Sequence, residues 1–318
     1  MKLFGEKNKI FKILAINVVC IVSLLLLFEF FSYCKYTSNA GSVANFVSGK
    51  TEINSIPSWS KLRAEKHIEK HEKRPILFLG CSYTYGYRLS DDETFPYLVE
   101  KATKRLCYNF GLSGYNISEA LLLFDNNKDK NLQTPEYIIY TYMFDHIQRC
   151  GQWQNFDSYR KRNLIPNQGY NFAYKLWSVQ YIQNTKFQRY LWELSFEENI
   201  DFFFKIVEAV KAECDKKFPD SKFIVLLYSD VNNDLSENFN LNEKENKERI
   251  DKSFDFLYSS EIRKRFENLG ITAVSTEDLI GRKMDGKTDR IPDDMERPHP
   301  SYSAWSEVVP ALIKHFSL

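Results

Sequence analysis

The sequence predicts a doubly wound α/β domain, in which a parallel β-sheet lies between two layers of helices. Two observations lead to this prediction. Short apolar runs bounded by turn residues alternate with stretches of helical periodicity, which is the pattern of parallel α/β folds. Most of these runs are continuous rather than alternating, which is typical of strands buried on both faces of a sheet. We therefore expect functional residues at the carboxyl ends of the strands.

Five apolar segments are predicted strands. In chain order they are "PILFLG", "CYNFG", "EYIIYTY", "KFIVLLYS" and "ITAVST". Their lengths fall within the roughly 4–8 residues expected of a strand. Four segments with helical spacing accompany them, "ETFPYLVEKATKR", "NISEALLLFDNN", "SSEIRKRFENLG" and "SAWSEVVPALIKHF". Ser90, Asp91 and Asp92 are candidate caps for the first helix, and Pro96 falls in its first turn.

The α/β domain is predicted to occupy residues 74–318. Two regions interrupt its alternation of strands and helices. Residues 150–196 are rich in Tyr, Trp and Asn, and we interpret them as an insertion that covers one side of the domain. Residues 230–252 are highly charged and predict a loop that runs into a solvated helix.

A different kind of segment precedes the domain. Residues 13–33 are almost entirely apolar and have about the length that spans a bilayer core of roughly 30 Å. Lysines are concentrated in residues 1–12, which predicts a cytoplasmic N-terminus, a single-pass membrane anchor and a periplasmic or extracellular domain. A signal peptide cleaved after Ala40 is the alternative. Residues 34–73 are predicted to be a linker followed by a charged helix.

The bulk composition excludes some classes of partner. Lys+Arg 43 nearly balances Asp+Glu 42, so no nucleic-acid partner is expected, because phosphate binding needs a concentrated positive surface. His67 and His71 are four residues apart, but no third ligand accompanies them at a spacing typical of metal sites. We therefore expect neither a metal nor a cofactor.

The segment "GCSYTYG" follows the first predicted strand and raises the question of what Ser82 does there. Ser82 is either an ordinary turn residue or a nucleophile exposed at a sharp strand-to-helix turn. A serine nucleophile needs a histidine base, and the base needs an orienting carboxylate. His299 and Glu296 in "DDMERPHPSYSAW" are the candidates, with Asp293 and Asp294 as alternative acids.

These motifs resemble those of the GDSL, or SGNH, hydrolase family. "GCSYTYG" followed by "LSDDETFPYLVEKA" resembles the first family block, "NFGLSGYN" the second and "ERPHPS" the last. The blocks occur in the family order and cover nearly all of the chain beyond the apolar segment. The resemblance implies a three-layer, flavodoxin-like sheet. It also implies that Ser82 is the nucleophile, that the N–H groups of Ser82 and Gly114 bind the oxyanion, and that Glu296 orients the base His299.

The third family block diverges. The family usually has Gly-x-Asn-Asp, whose Asn side chain donates to the oxyanion, but Phe144 stands at the position of this Asn. Asp145 matches the following Asp. His146 or Tyr142 is a candidate replacement donor, and Arg149 is a candidate for holding an anionic group.

The resemblance implies a serine esterase that acts through an acyl-serine intermediate. The predicted substrate is an O-acyl group, such as an acetyl ester, on an envelope or surface glycan or on a small molecule. Two alternatives remain open at this point. An acyltransferase would use the same triad with a hydroxyl acceptor in place of water, and a catalytically silent binding or assembly module would keep only the fold.

Overall fold

The computed structural model describes residues 17–18, 20–28, 30, 73–112, 116–125, 132–143, 145–151, 162, 164, 196–229, 258–285, 288–291 and 299–318. The chain divides into two compact units. One unit comprises Met1–Glu52 and Ile165–Glu193, and the other comprises Ile53–Leu164 and Leu194–Leu318.

In the first unit the described residues, between positions 17 and 30, are helical. Their apolar side chains are exposed, for example Leu24 and Phe30 at 65% each. Within the described part of the chain, no helix has both the length and the apolar character needed to cross a membrane. The ends of the predicted anchor, at 13–16 and 31–33, lie outside the described residues, so the anchor stays a prediction.

The second unit contains a sheet of five parallel strands, which confirms the predicted class. The strands lie side by side in the order β2-β1-β3-β4-β5. This order reverses direction between β1 and β3, as it does in doubly wound flavodoxin-like sheets. The strand bounds are β1 Ile76–Gly80, β2 Cys107–Gly111, β3 Tyr137–Tyr142, β4 Lys222–Leu227 and β5 Thr272–Ser275.

Eight helices are described in this unit. They are α1 Ser82–Tyr85, α2 Phe95–Thr103, α3 Glu119–Asp125, α4 Asp145–Gly151, α5 Phe196–Lys217, α6 Ser260–Asn268, α7 Thr276–Ile280 and α8 Tyr302–Phe316. The four helices that the sequence predicts correspond to α2, α3, α6 and α8. The long helix α5 begins just after the predicted insertion, and its described first residues are acidic while its last are basic, as the helix dipole favours.

Helices α2 and α8 cover one face of the sheet. Phe95 of α2 stacks on Trp305 of α8, with ring centroids 4.4 Å apart, and also makes an edge-to-face contact with Phe78 in β1. On the opposite face, Tyr142 of β3 contacts Phe203 of α5 and Phe266 of α6. Because successive side chains of a strand point to opposite faces, β1 and β3, which are buried along their whole length, contribute to both cores. This explains their continuous apolar sequences.

The start of α2 differs from the expectation. Ser90 does not cap this helix, because it begins a separate 3₁₀ turn, Asp91–Glu93, where it forms a capping box with Glu93. Thr94 occupies the N-cap position of α2, and Pro96 lies in the first turn as predicted. The linker 34–72, most of the predicted insertion and residues 230–252 lie outside the described residues.

Candidate active site

The carboxyl end of β1 turns sharply at a glycine. Gly80 has φ +151, and a Cβ atom there would lie 2.2 Å from the Thr84 hydroxyl oxygen. The second glycine of the segment, Gly86, ends α1 with φ +81, in the left-handed region that favours glycine. The two glycines therefore have a structural reason: one lets the chain fold back closely after the strand, and the other ends the short helix.

Ser82 is the first residue of α1. Tyr85 N–H donates to the Cys81 carbonyl and Gly86 N–H to the Ser82 carbonyl, which closes the single turn of this helix. The N–H groups in the first turn of a helix have no intrahelical acceptor. The Ser82 N–H is one of these groups, and Ser82 as a whole is only 5% exposed.

A third glycine, which the sequence reasoning did not single out, holds α1 against the sheet. A Cβ atom on Gly111, at the end of β2, would lie 2.3 Å from the Tyr85 nitrogen and 2.8 Å from Thr84 atoms. Leu112 N–H, one residue further, donates to the Gly80 carbonyl at 2.9 Å. Glycine is thus required where the backbones of β2 and α1 approach each other. Its position at the end of a predicted strand, in "NFG", was the available signal.

His299 contacts Ser82 although 217 residues separate them in the chain. The His299 Nε2 atom lies 2.9 Å from the Ser82 hydroxyl oxygen, and both side chains are buried. When the Ser82 hydroxyl donates to Nε2, as a nucleophile does to its base, that nitrogen carries no proton and the neutral ring carries its proton on Nδ1. The contact has the geometry of a nucleophile and its general base.

Two tyrosines of the same segment enclose the imidazole. The Tyr83 ring meets the His299 ring edge to face at 5.6 Å, and the Tyr87 ring lies 4.7 Å away at 39°. Tyr83 also contacts Tyr228, and Tyr228 contacts Trp305 in the core. The contact of these tyrosines with the histidine could not be predicted from their spacing in the sequence.

Cys81 points into the core rather than toward His299. Its Sγ atom donates to the Met143 sulfur at 3.4 Å, and both side chains are buried. The family resemblance places Asp at this position. A small apolar side chain suits the buried site here because it leaves no unpaired charge in the core.

Helix α4 begins at the carboxyl end of β3 and carries the predicted residues His146 and Arg149. The His146 ring is fully buried, and its Nδ1 is hydrogen-bonded to the Tyr140 hydroxyl. Burial, followed by the nearby Arg149 charge, holds the pKa of His146 well below its ordinary value. The Nε2 atom of the ring has no hydrogen-bond partner among the described residues.

The structure does not bring all the predicted residues together at an open site. Tyr142 is buried on the face that carries α5 and α6, and Arg149 is 6% exposed. Asp145 belongs to α4, but its side chain lies outside the described part of the structure. The remaining candidates and Phe144 lie wholly outside the described residues; they are Gly114, Phe144, Asp293, Asp294 and Glu296. The described residues contain no group of three potential metal ligands, and His67 and His71 are not among them.

No protein-family model matches the chain, and no curated protein matches it. Among the solved structures that it resembles is a phospholipase A1 from Streptomyces albidoflavus, at 16% identity and a TM-score of 0.44, covering 76% of this chain and 98% of that chain. A protein of the G-D-S-L family from Desulfitobacterium hafniense has 10% identity and a TM-score of 0.40, with 76% and 99% covered. A family two carbohydrate esterase from Clostridium thermocellum, solved with cellohexaose, has 11% identity and a TM-score of 0.42, with 78% and 65% covered. At these TM-scores the similarities carry no argument about the chemistry of the site.

Proposed function

We propose that this protein is a serine esterase of the SGNH type, with Ser82 as nucleophile and His299 as general base. The observation that carries the proposal is the 2.9 Å contact between the Ser82 hydroxyl oxygen and His299 Nε2. The contact lies at the carboxyl end of β1, beside the point where the strand order reverses, which is where open α/β sheets bind their ligands.

The chemistry follows from this pair. His299 Nε2 takes the hydroxyl proton while the Ser82 oxygen attacks the ester carbonyl carbon, and the tetrahedral intermediate expels the alcohol, which receives the proton from His299. Water then attacks the acyl-serine, again with His299 as base, and releases the acid. Both side chains are largely buried, so the hydrogen bond is shielded from bulk water and is stronger than it would be on an open surface.

The acid that orients His299 would come from the segment just before it. The Nδ1–H group of His299 has to donate to an acceptor, so that Nε2 can act as the base. A carboxylate acceptor also stabilises the imidazolium that forms. Glu296 is our first choice because it matches the acid of the family motif, and Asp293 and Asp294 are the alternatives.

The oxyanion would be bound by main-chain N–H groups. The Ser82 N–H belongs to the first turn of α1 and has no intrahelical acceptor, and Gly114 N–H is the second proposed donor. We propose Asp145 as a wall residue of the substrate site. Arg149 is 6% exposed, so we assign it no direct contact with substrate. We assign His146 no direct contact with substrate, because its ring is fully buried. Fewer side-chain donors would give a slower enzyme, since loss of one donor costs about 100- to 1,000-fold in kcat.

As substrate we propose an O-acyl ester, such as an acetyl ester, of an envelope or surface glycan. This part of the proposal rests on the N-terminal segment, whose apolar side chains are exposed on a helix and whose preceding residues are rich in lysine. A single-pass anchor of that kind would hold the esterase domain on the periplasmic or extracellular side of the membrane.

An acyltransferase is the nearest alternative, because a sugar hydroxyl can replace water in the second step without any change in the triad. A silent binding module is the second alternative, and the absence of the third-block Asn favours it. The buried contact between Ser82 and His299 argues against this second alternative, because a module without catalysis has no need to keep a hydroxyl hydrogen-bonded to an imidazole.

The test uses the purified full chain beside two variants, Ser82→Ala and Ser229→Ala. Ser229 is a suitable control because it also carries a buried hydroxyl at a strand end, where it bonds to Thr276. We expect a fluorophosphonate probe to label the wild type and Ser229→Ala but not Ser82→Ala, and cleavage of p-nitrophenyl acetate to follow the same pattern. A folded wild type that shows neither labelling nor cleavage would refute the esterase and favour the binding module.

A further inference from the structure

The segment that carries His299 is held in place by a second segment, residues 289–291. Ile291 N–H donates to the His299 carbonyl at 3.0 Å, and Ser301 N–H donates to the Asp289 carbonyl at 2.9 Å. Between these two hydrogen bonds, Arg290 and Pro300 form an antiparallel bridge. The position of the imidazole therefore depends on the position of residues 289–291.

That second segment is fixed through the Asp289 carboxylate. Asp289 is 4% exposed, and Arg282 donates to both of its carboxylate oxygens, with Nη1–Oδ2 at 2.7 Å and Nη2–Oδ1 at 3.1 Å. The Asp285 N–H donates to Oδ2 as well, at 2.6 Å. Although burial raises it, these hydrogen bonds hold the pKa of Asp289 below its ordinary value. A bidentate, charge-assisted pair of this kind is among the strongest and most directional hydrogen-bond arrangements in proteins.

Arg282 also contacts the helix that follows His299. Its Nε donates to Glu307 of α8 at 3.2 Å, its Nη2 donates to the other oxygen of the same carboxylate, and its Nη1 donates to the Lys283 carbonyl. One guanidinium thus joins the turn that follows α7, the segment 289–291 and helix α8. His299 lies between the last two of these elements.

We infer that Arg282 and Asp289 are positioning residues for His299. They act through the backbone of residues 289–291 and 299–301, and they contact neither substrate nor Ser82. The inference rests on the proposed function, because it holds that Arg282 and Asp289 keep His299 in position for proton transfer and do not contribute to stability alone. Catalysis is sensitive to such placement, since an error of about 1 Å in a reacting group costs about 100-fold in rate.

The chain contains a matched control pair. Arg263 of α6 bonds to Asp278 and to the Ser275 hydroxyl, and it therefore links α6 with α7 much as Arg282 links its own neighbours. Both arginine side chains are partly exposed, at 29% and 41%. None of the described hydrogen bonds of Arg263 or Asp278 leads to the segments at 289–291 or 299–301. If both pairs contribute only to stability, neutralising Arg282 or Arg263 should have similar effects on kcat.

The first measurement compares steady-state kinetics of the full chain with those of Arg282→Gln, Asp289→Asn, the double variant and Arg263→Gln. We expect kcat to fall about ten-fold in the first two variants with KM nearly unchanged, because the ester is still bound while the base is misplaced. The double variant should be no worse than either single variant, since both substitutions break one interaction. Arg282→Lys should recover part of the loss, because lysine keeps the charge but not the planar fork.

The second measurement does not depend on esterase activity. Diethyl pyrocarbonate acylates accessible imidazoles, and peptide mass spectrometry reports the rate at His299 and at the exposed His315. We expect Arg282→Gln to raise the His299 rate several-fold and to leave the His315 rate unchanged, whereas Arg263→Gln should change neither. An unchanged His299 rate, or equal losses of kcat in Arg282→Gln and Arg263→Gln, would overturn the positioning role. Failure of the esterase proposal would appear separately, as a wild type without Ser82-dependent cleavage.

Discussion

The two edges of the sheet use buried polar side chains in different ways. At the carboxyl edge the Ser82 hydroxyl contacts the His299 imidazole. Three glycines, at the end of β1, the end of α1 and the end of β2, allow the close backbone packing there. At the amino edge the polar side chains are instead an arginine and two carboxyl groups. Arg105 donates to the Glu136 carboxylate and to the Arg74 carbonyl, and Glu100 accepts the Cys107 N–H.

This difference indicates that the two edges of the sheet have different roles. The amino-edge groups hold chain segments together, so substitutions there should change the free energy of unfolding and its pH dependence. If the proposed function is right, the carboxyl-edge groups carry out the chemistry, so substitutions there should change catalysis. Each of the following predictions tests whether the two edges separate in this way.

The largest effect is expected at Gly111, where stability and activity should fall together. In Gly111→Ala the new Cβ would meet the Tyr85 nitrogen at 2.3 Å, and backbone must move to relieve that contact. We expect the free energy of unfolding to fall by about 2–3 kcal/mol and the Ser82-dependent kcat to fall about 10- to 100-fold because α1 shifts. Urea unfolding and p-nitrophenyl acetate kinetics measure the two effects.

Gly270→Ala is the matched control for this substitution. Gly270 has φ +71, but a Cβ there would have no neighbour within 4 Å. Only the left-handed backbone conformation should cost stability, about 1 kcal/mol, and kcat should not change. If Gly111→Ala proves no more harmful than Gly270→Ala, the close approach of β2 to α1 is not a determinant of the site.

The amino edge should give the protein a pH-dependent stability through Glu100. Burial raises the pKa of this carboxyl from 4.5 to about 7, in spite of the Cys107 hydrogen bond. Because the folded-state pKa lies above the unfolded-state value, the contribution of Glu100 to stability is greatest below about pH 4.5 and falls as pH rises to about 7. We expect Glu100→Gln to remove this decline and to raise the free energy of unfolding at pH 8 by about 2–3 kcal/mol.

Denaturant unfolding between pH 4.5 and pH 8 measures this effect. Glu136→Gln provides the contrast. Although partial burial raises it, the Arg105 hydrogen bond holds the pKa of Glu136 below its ordinary value. The stability that this ion pair contributes is therefore present at neutral pH and is lost as the solution becomes acidic. Parallel pH profiles of Glu100→Gln and the wild type would contradict our account of the amino edge.

The smallest effect is expected at Tyr87, whose ring lies 4.7 Å from His299 and is 38% exposed. Tyr87→Ala removes one wall of the imidazole site but leaves Tyr83 in place, so we expect kcat to fall about two- to ten-fold, in line with the energy of an aromatic pair. Tyr87→Phe keeps the ring and should retain kcat. The steady-state kinetics of both variants measure the effect, and a loss in Tyr87→Phe equal to that in Tyr87→Ala would show that the hydroxyl, not the ring contact, matters.

The sequence predicted the strands better than it predicted the contacts between them. Strand β3 was read from "EYIIYTY" because continuous apolar runs between turn residues are a local signal. The candidate caps Ser90, Asp91 and Asp92 do not cap α2, because they form a separate 3₁₀ turn and Thr94 takes the N-cap position. The acid partner of His299 remains a sequence prediction, since Glu296 lies outside the described residues.

By itself the sequence determined the fold class of this protein, a parallel sheet of five strands with intervening helices. It also predicted that Ser82 and His299 act together, as nucleophile and base. Only the tertiary structure decided that Gly111 makes room for α1, that Cys81 faces Met143, and that Arg282 reaches the segment beside His299. The physical reason is the distance along the chain over which each kind of signal acts. Periodicity and turn chemistry are written into neighbouring residues, whereas these contacts arise when the parallel sheet brings distant strand ends and loops to one edge.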